Sequence, residues 1–144
     1  MRAFDFAKFL AAQDLAYDDA IRELRAGRKE SHWMWFVFPQ VPMPKQSDWS
    51  LRYAIPSLNE AQAYLAHPVL GPRLRECTQA LLDLGGVPIL QVMDGSYVDV
   101  MKLRSSMTLF SLAAPVDPLF TGVLECYFHG EPDPETVRFL VSGG

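Results

Sequence analysis

Apolar residues recur at helical spacing through most of the chain, and this periodicity constrains the fold more than any other feature. One of the clearest stripes follows the spacing i, i+3, i+4, i+7, at Tyr17, Ala20, Ile21 and Leu24. Another repeats every three or four residues, at Val100, Leu103, Met107 and Phe110. Such a stripe gives a helix one apolar face. Strict two-residue alternation over a strand's length is missing, and the runs 36–38 and 87–92 are too short to build a sheet. The sequence therefore predicts a mainly α fold.

Signals for helix starts and stops divide the periodic stretches into separate helices. Side chains that favour helix N-caps precede five of them: Asp14, Ser57, Ser96, Asp117 and Asp133. Gly27 and Gly85 follow apolar stripes and predict helix ends. A short helix over about residues 6–12 is expected before the first long one. We predict one compact domain over residues 1–144, with about six to eight helices, one long proline-rich loop over residues 38–50 and no substantial sheet.

Composition and charge argue against several classes of partner. A chain of 144 residues with 49% apolar and 21% charged residues can bury one core of its own. The formal charge of −4 gives no field that attracts a polyanion, so we expect no nucleic acid partner. No window approaches the ~20 apolar residues of a membrane span. An acidic residue, Asp5, comes too early in the chain for the apolar core of a signal sequence. We expect a cytoplasmic protein with no membrane partner.

Sequence motifs for metals and cofactors are missing. Cys77 and Cys126 each lie among apolar residues, without the close spacing of a metal site, which predicts buried, reduced thiols. The three histidines occur without a metalloprotease, serine hydrolase or phosphate-loop pattern. We therefore predict no metal and no cofactor. These patterns leave open whether the protein is an enzyme.

Residues 32–40 form the chemically densest segment, with four aromatic rings, a histidine and an amide beside a proline. Spacing alone favours core packing of the aromatic side chains. The alternative is a cleft wall, in which Trp33 or Trp35 stacks on a ligand and Gln40 hydrogen-bonds to its polar edge. His32 is then the one candidate for an acid or base.

A second cluster of polar side chains lies in residues 102–108. On a helix, Lys102, Ser105 and Ser106 share the side opposite the apolar stripe that contains Leu103 and Met107. A cation beside two hydroxyls suits a phosphate, a carboxylate or a sugar hydroxyl. The alternative is a solvated face whose serines bond back to helix carbonyls, and spacing alone favours it.

These two segments carry a family resemblance. The chain resembles the bacterial domain-of-unknown-function 1810 family over nearly its whole length, on three motifs: residues 32–36 (HWMWF), 38–40 (FPQ) and 102–110 (KLRSSMTLF). The resemblance implies a mainly α-helical fold and no established activity. It gives weight to the polar motif residues His32, Gln40, Lys102, Ser105 and Ser106. In the loop after Gln40 this chain has prolines where the family usually has a glycine, which changes the backbone angles available there.

Some members of the family carry the label calpastatin, which is a long, disordered, repetitive inhibitor. Here, 12% aromatic residues and regular apolar stripes predict a packed globule instead.

Together, the two polar segments predict one cleft between the aromatic run and the Lys102 helix. We expect it to bind a polar or anionic small molecule, with nucleotide-derived compounds among the candidates. The alternative function is a non-enzymatic protein-interaction module that uses exposed aromatic residues and the loop 39–49. A cleft requires His32 and Lys102 beside one cavity, whereas a module requires Met43 and Trp49 exposed in one patch. The sequence identifies no particular protein partner.

Overall fold

Nine helices make up the regular structure of residues 4–43 and 47–142, which the computed structural model describes, with Trp49 described by its backbone alone. In chain order they are α1 (Ala7–Ala26), α2 (Met34–Val37), α3 (Asp48–Arg52), α4 (Leu58–Ala66), α5 (Leu70–Leu84), α6 (Ile89–Val92), α7 (Tyr97–Ala113), α8 (Pro118–Phe128) and α9 (Pro134–Val141). No strand occurs in this part of the chain. The predicted mainly α, single compact domain is confirmed.

Most of the predicted helix boundaries follow from side-chain capping. The Ser57, Ser96 and Asp133 side chains each accept a hydrogen bond from the backbone N–H three residues later, at the starts of α4, α7 and α9. Asp117 caps α8 through the N–H of Leu119. Gly27 ends α1 with a φ of 80°, a left-handed conformation that glycine adopts without a side-chain clash.

The first helix differs from the prediction. Instead of a short helix and a second one capped by Asp14, α1 runs without interruption from Ala7 to Ala26. No glycine or proline breaks it, and the Asp14 carboxylate forms an ion pair with Arg73 at 3.0 Å instead of capping a helix. Buried Gln13 donates to the carbonyl of Phe36 at 2.7 Å and ties the middle of α1 to α2.

Helix α7 lies at the centre of the fold. It packs against α8, α4, α9, α2 and α6, while α1 packs on α5 and α5 on α8. Because neighbours surround α7, its polar side is buried as well as its apolar one: Ser105 and Ser106 are both buried. The alternative prediction of a solvated serine face is therefore wrong.

The two cysteines differ in their surroundings. Cys77 is buried in α5, and this burial raises the pKa of its thiol to about 12. Cys126 lies on the exposed side of α8, so the expectation of burial is wrong for this residue. Both thiols are free. None of the helices in the described ranges has the length and apolar character that crossing a membrane requires.

Candidate functional site

A cleft of about 550 Å³ lies between the loop after α2, the first half of α7 and the start of α9. We call it the α7 cleft, and its size is that of small-molecule sites in other proteins. The loop and α3 contribute one wall and α7 and α9 the other; its lining residues are Gln40, Met43, Ser47, Ser50, Tyr97, Val98, Met101, Lys102, Ser105, Asp133 and Glu135.

Gln40 holds a fixed place in the loop wall. Its backbone carbonyl accepts a hydrogen bond from the N–H of Ile55 at 2.9 Å, and its side chain is only 9% exposed. The amide oxygen Oε1 is buried and has no hydrogen-bond partner in the described part of the chain. More than nine in ten buried polar groups in native proteins have a partner. Gln40 is therefore a cleft residue whose amide oxygen lacks a hydrogen-bond donor.

Lys102 brings positive charge to the opposite wall. Its Nζ lies 5.3 Å from the ring centroid of Trp35 and 4.0 Å from Oδ1 of Asp99. The other Asp99 oxygen lies 3.2 Å from Nζ of Lys29, so two lysines share one carboxylate. Burial lowers the pKa of Lys102, Asp99 raises it, and the charge of Lys29 lowers it further. The second lysine leaves an excess of positive charge that an anion would balance.

The aromatic run divides between the core and the surface. Trp33 is fully buried, and its indole N–H donates to Oε1 of Glu23 at 3.0 Å, so its side chain packs in the core. Trp35 is partly buried and lies near both Lys102 and His32, with 6.5 Å between the ring centroids of Trp35 and His32. His32 is exposed. Of the seven predicted site residues, the structure brings Gln40, Lys102 and Ser105 together at the cleft, and the lining does not include His32, Trp33, Trp35 or Ser106.

A buried chain of hydroxyl groups joins α7 to α9. Oγ of Ser105 lies 2.8 Å from Oγ1 of Thr136, which donates to Oδ2 of Asp133 at 2.6 Å. The backbone N–H of Asp133 donates in turn to Oγ1 of Thr108 at 2.8 Å. These bonds hold the start of α9 against α7 and so fix one side of the cleft.

The comparisons with known proteins agree with this architecture. Residues 3–140 match the model of a family described as a protein of unknown function, DUF1810. The chain belongs to the DUF1810 family. It is also similar to the crystal structure of the conserved hypothetical protein Rv1873 from Mycobacterium tuberculosis, at 46% identity and a TM-score of 0.91, over 96% of this chain and 97% of that one. No curated protein matches it. The resemblance predicted from the motifs is confirmed.

Several residues that line the cleft of this DUF1810 chain were not predicted. Tyr97 is 68% exposed on the first turn of α7, and Met101 follows it at i+4. With Ser105 at i+8, these residues form one helix face, which the spacing could have indicated. Asp133 was predicted as a helix cap but not as a cleft residue. Among the residues that the structure describes, no three histidine, cysteine, aspartate or glutamate side chains form a group that could hold a metal ion.

Substituting Thr136 by valine tests the junction between α7 and α9. Valine keeps the shape of threonine but removes the hydroxyl that Ser105 and Asp133 share, and it leaves the buried Ser105 hydroxyl without that partner. We expect the free energy of unfolding to fall by about 2 kcal/mol in a denaturant titration. Thr121→Val is the control, since the Thr121 hydroxyl makes only an exposed bond to the carbonyl of Pro118. Equal losses in both variants would count against a structural role for the hydroxyl chain.

Proposed function

We propose that this DUF1810 domain is a cytoplasmic protein that binds a polar or anionic small molecule in the α7 cleft. The observation that carries the proposal is the buried, unpartnered amide oxygen of Gln40 in the wall of a cleft that also contains Lys102. A buried polar group without a partner costs about 1–3 kcal/mol. A bound ligand that supplies the missing hydrogen bond would remove that cost.

The charges near Lys102 support an anionic group on the ligand. Lys102 and Lys29 share the carboxylate of Asp99, which leaves one positive charge without a partner in this group. A carboxylate or phosphate at Lys102 would balance it. The exposed ring of Tyr97 would supply a stacking surface for the base of a nucleotide-derived compound, a role that the sequence had suggested for Trp33 or Trp35.

We propose binding alone, without a catalytic role for His32. His32 does not line the cleft, and its ring centroid lies 6.5 Å from that of Trp35, the ring that Lys102 also approaches. A proton transfer requires the acid or base within hydrogen-bond reach of the bound molecule. The arrangement in the cleft supports recognition through Gln40 and Lys102.

A protein-interaction module is the second candidate. Tyr97 and Val98 are both more than 60% exposed at the edge of the cleft, and exposed apolar side chains of this kind occur at interfaces. Of the two residues that the sequence analysis named for such a patch, Met43 is partly buried, and the Trp49 side chain lies outside the described residues. In this case the free chain would show no small-molecule binding, and substituting Val98 by aspartate would abolish capture of the partner.

A thermal-shift screen tests the binding proposal. The probes are inorganic phosphate, sugar phosphates, nucleoside mono- and diphosphates, NAD-related compounds and small carboxylates. A ligand at about 100 times its Kd adds about 2.7 kcal/mol to the stability of the protein that binds it. We expect at least one probe to raise the melting temperature of the wild-type protein, and Lys102→Met or Gln40→Leu to remove most of that rise.

The control for this screen is Lys8→Met, because Lys8 is an exposed lysine on α1, away from the cleft lining. It should respond to the same probe as the wild-type protein does. A flat response to every probe at millimolar concentration would contradict the proposal. Stabilisation that survives both cleft substitutions would also contradict it, because the probe would then bind elsewhere.

A further inference from the structure

We propose that the ligand of the α7 cleft is a zwitterion, with a cationic amine or guanidinium group in addition to its anionic group. This inference rests on the proposed function and specifies its ligand class. The cleft has charges of both signs on its walls: Lys102 supplies a cation, and Asp133 and Glu135 supply two carboxylates at the start of α9. A simple anion would balance Lys102 and leave the acidic wall unmatched.

Asp133 is the more buried of the two acidic residues. Its side chain is 8% exposed, and Oδ2 accepts hydrogen bonds from the N–H and the hydroxyl of Thr136, at 3.1 and 2.6 Å. No lysine, arginine or histidine nitrogen of the described ranges forms an ion pair with it. Buried charges in proteins are normally paired. The N-terminal turn of α9 supplies its hydrogen bonds, and a cation on the ligand would supply the counter-charge that it lacks.

The direction of the hydrogen bonds between the hydroxyl groups leaves Ser105 as an acceptor next to Asp133. An ionised carboxylate only accepts, so the hydrogen of Thr136 points to Asp133, and Ser105 must donate its own hydrogen to Thr136. The lone pairs of Ser105 then remain available at the cleft wall. Gln40, nine-tenths buried and without a partner at Oε1, offers a further acceptor. These acceptors beside Asp133 suit a ligand group that carries N–H bonds.

Glu135 and the apolar lining complete the description of the ligand. Glu135 is exposed and forms an ion pair with Arg138, so its charge is partly balanced already. The side chains of Met43, Val98 and Met101 also line the cleft, and they suit an apolar spacer between the two charged ends of the ligand. The chemistry is that of an ω-amino acid or its guanidino counterpart.

Matched probes of three lengths test this inference by isothermal titration calorimetry. At each length, an ω-aminoalkanoate of four, six or eight carbons is compared with the alkanoate and the alkylamine of the same length. A charge-assisted hydrogen bond to a desolvated carboxylate is strong enough to change affinity about tenfold. We expect the best aminoalkanoate to bind about ten times more tightly than its alkanoate.

Asp133→Asn is the decisive variant, because the amide oxygen can still accept both bonds from Thr136 while the charge is removed. This variant should lose the tenfold preference for the aminoalkanoate over the alkanoate. It should bind the alkanoate at least as tightly as the wild-type protein does. Lys102→Met should weaken alkanoate and aminoalkanoate alike. Glu135→Gln, at an exposed position where folding is not at risk, should lower aminoalkanoate affinity about twofold to threefold and leave the alkanoate unchanged.

The outcomes separate this inference from the proposed function. If alkanoates bind through Lys102 but the amine adds less than twofold at every length, the ligand is a simple anion and only the zwitterion is overturned. A preference that survives both Asp133→Asn and Glu135→Gln overturns it too. If no aminoalkanoate binds while a probe of the thermal-shift screen binds through Lys102 and Gln40, only this inference is overturned. If every probe of both experiments fails to bind, the proposed function is overturned together with this inference.

Discussion

Replacing Gly71 by alanine is expected to destabilise the protein strongly, because the added Cβ atom has no space. Gly71 lies in the first turn of α5, where α4 approaches so closely that a Cβ atom would lie 2.1 Å from the carbonyl oxygen of Leu65 and 2.9 Å from its carbonyl carbon. Both are backbone atoms, so no side-chain rotation relieves the overlap. The two helices must separate, and overpacking of this severity costs about 3 kcal/mol or more. Denaturant unfolding measures the loss.

Gly86→Ala is the matched control for this substitution. A Cβ at Gly86 meets no heavy atom within 4 Å, and its φ is not in the left-handed region. We expect a change within about 0.5 kcal/mol, as for other surface positions. A loss of similar size in both variants would show that the close approach of α4 and α5 is not what excludes a side chain from position 71.

Replacing Glu23 by glutamine is expected to have the second largest effect. The buried carboxylate accepts hydrogen bonds from the N–H of Glu30 at 2.6 Å, from the N–H and hydroxyl of Ser31 at 2.8 and 2.7 Å, and from the indole of Trp33 at 3.0 Å. Three of these donors converge on Oε1, so the oxygen of glutamine would take that place, its NH₂ group would face the hydroxyl of Ser31, and the three remaining bonds would lose the charge of the acceptor. We expect a loss of about 3 kcal/mol at neutral pH.

The same carboxylate makes stability depend on pH in a defined direction. Burial on its own would raise the pKa of Glu23, but the hydrogen bonds from Ser31, Glu30 and Trp33 lower it from 4.5 to about 2. Because the folded-state pKa lies below the unfolded one, the stabilisation is complete above pH 4.5 and is lost as the pH falls towards 2. This shift corresponds to about 3 kcal/mol. Unfolding titrations between pH 7 and 2 measure it.

Glu125→Gln provides the control, because Glu125 is an exposed glutamate on α8. It should unfold like the wild-type protein at every pH. In Glu23→Gln the loss of stability on acidification should be smaller by about 3 kcal/mol. A Glu23→Gln variant with wild-type stability at pH 7 and an unchanged acid slope would rule out this role for the carboxylate.

Glu23 connects the fold to the candidate site. Its hydrogen bonds fix residues 30–33, directly before α2. Lys29, the residue before this segment, forms the ion pair with Asp99 at the start of α7. This turn therefore determines where the aromatic run begins and how α2 meets α7. Gln40 follows α2 in the chain, so the loop wall of the cleft depends on the same anchor.

Local signals in the sequence were sufficient for most of the helices. Ser57, Ser96, Asp117 and Asp133 each combine a capping side chain with a following apolar stripe, and a cap depends only on residues two or three positions away. Asp14 has a similar sequence pattern but lies inside α1, where its carboxylate forms an ion pair with Arg73 on α5. Such a contact between distant segments leaves no trace in the local pattern.

The candidate site was only partly predictable for the same reason. Trp33 stands before α2 with a φ of −140°, so a helical wheel does not apply to it, and its burial depends on Glu23. Spacing placed Ser105 and Ser106 opposite the apolar stripe but could not show that α9 covers Ser105. Lys102 and Gln40 were predicted as site residues, yet only the packing of α7 against the loop shows that they line one cleft.

The central claim is that a small molecule binds between Gln40 and Lys102, and the side-chain amide of Gln40 reports on it directly. The chain has six glutamines, so their side-chain NH₂ signals can be resolved in a ¹⁵N-labelled sample, and Gln40→Leu assigns the pair of interest. The probe that gives the largest thermal shift is titrated into this sample. We expect the Gln40 signals to shift until the probe saturates the protein, with the Kd of the probe, while the signals of exposed Gln79 on α5 stay fixed. Saturable binding that leaves the Gln40 signals in place would contradict it.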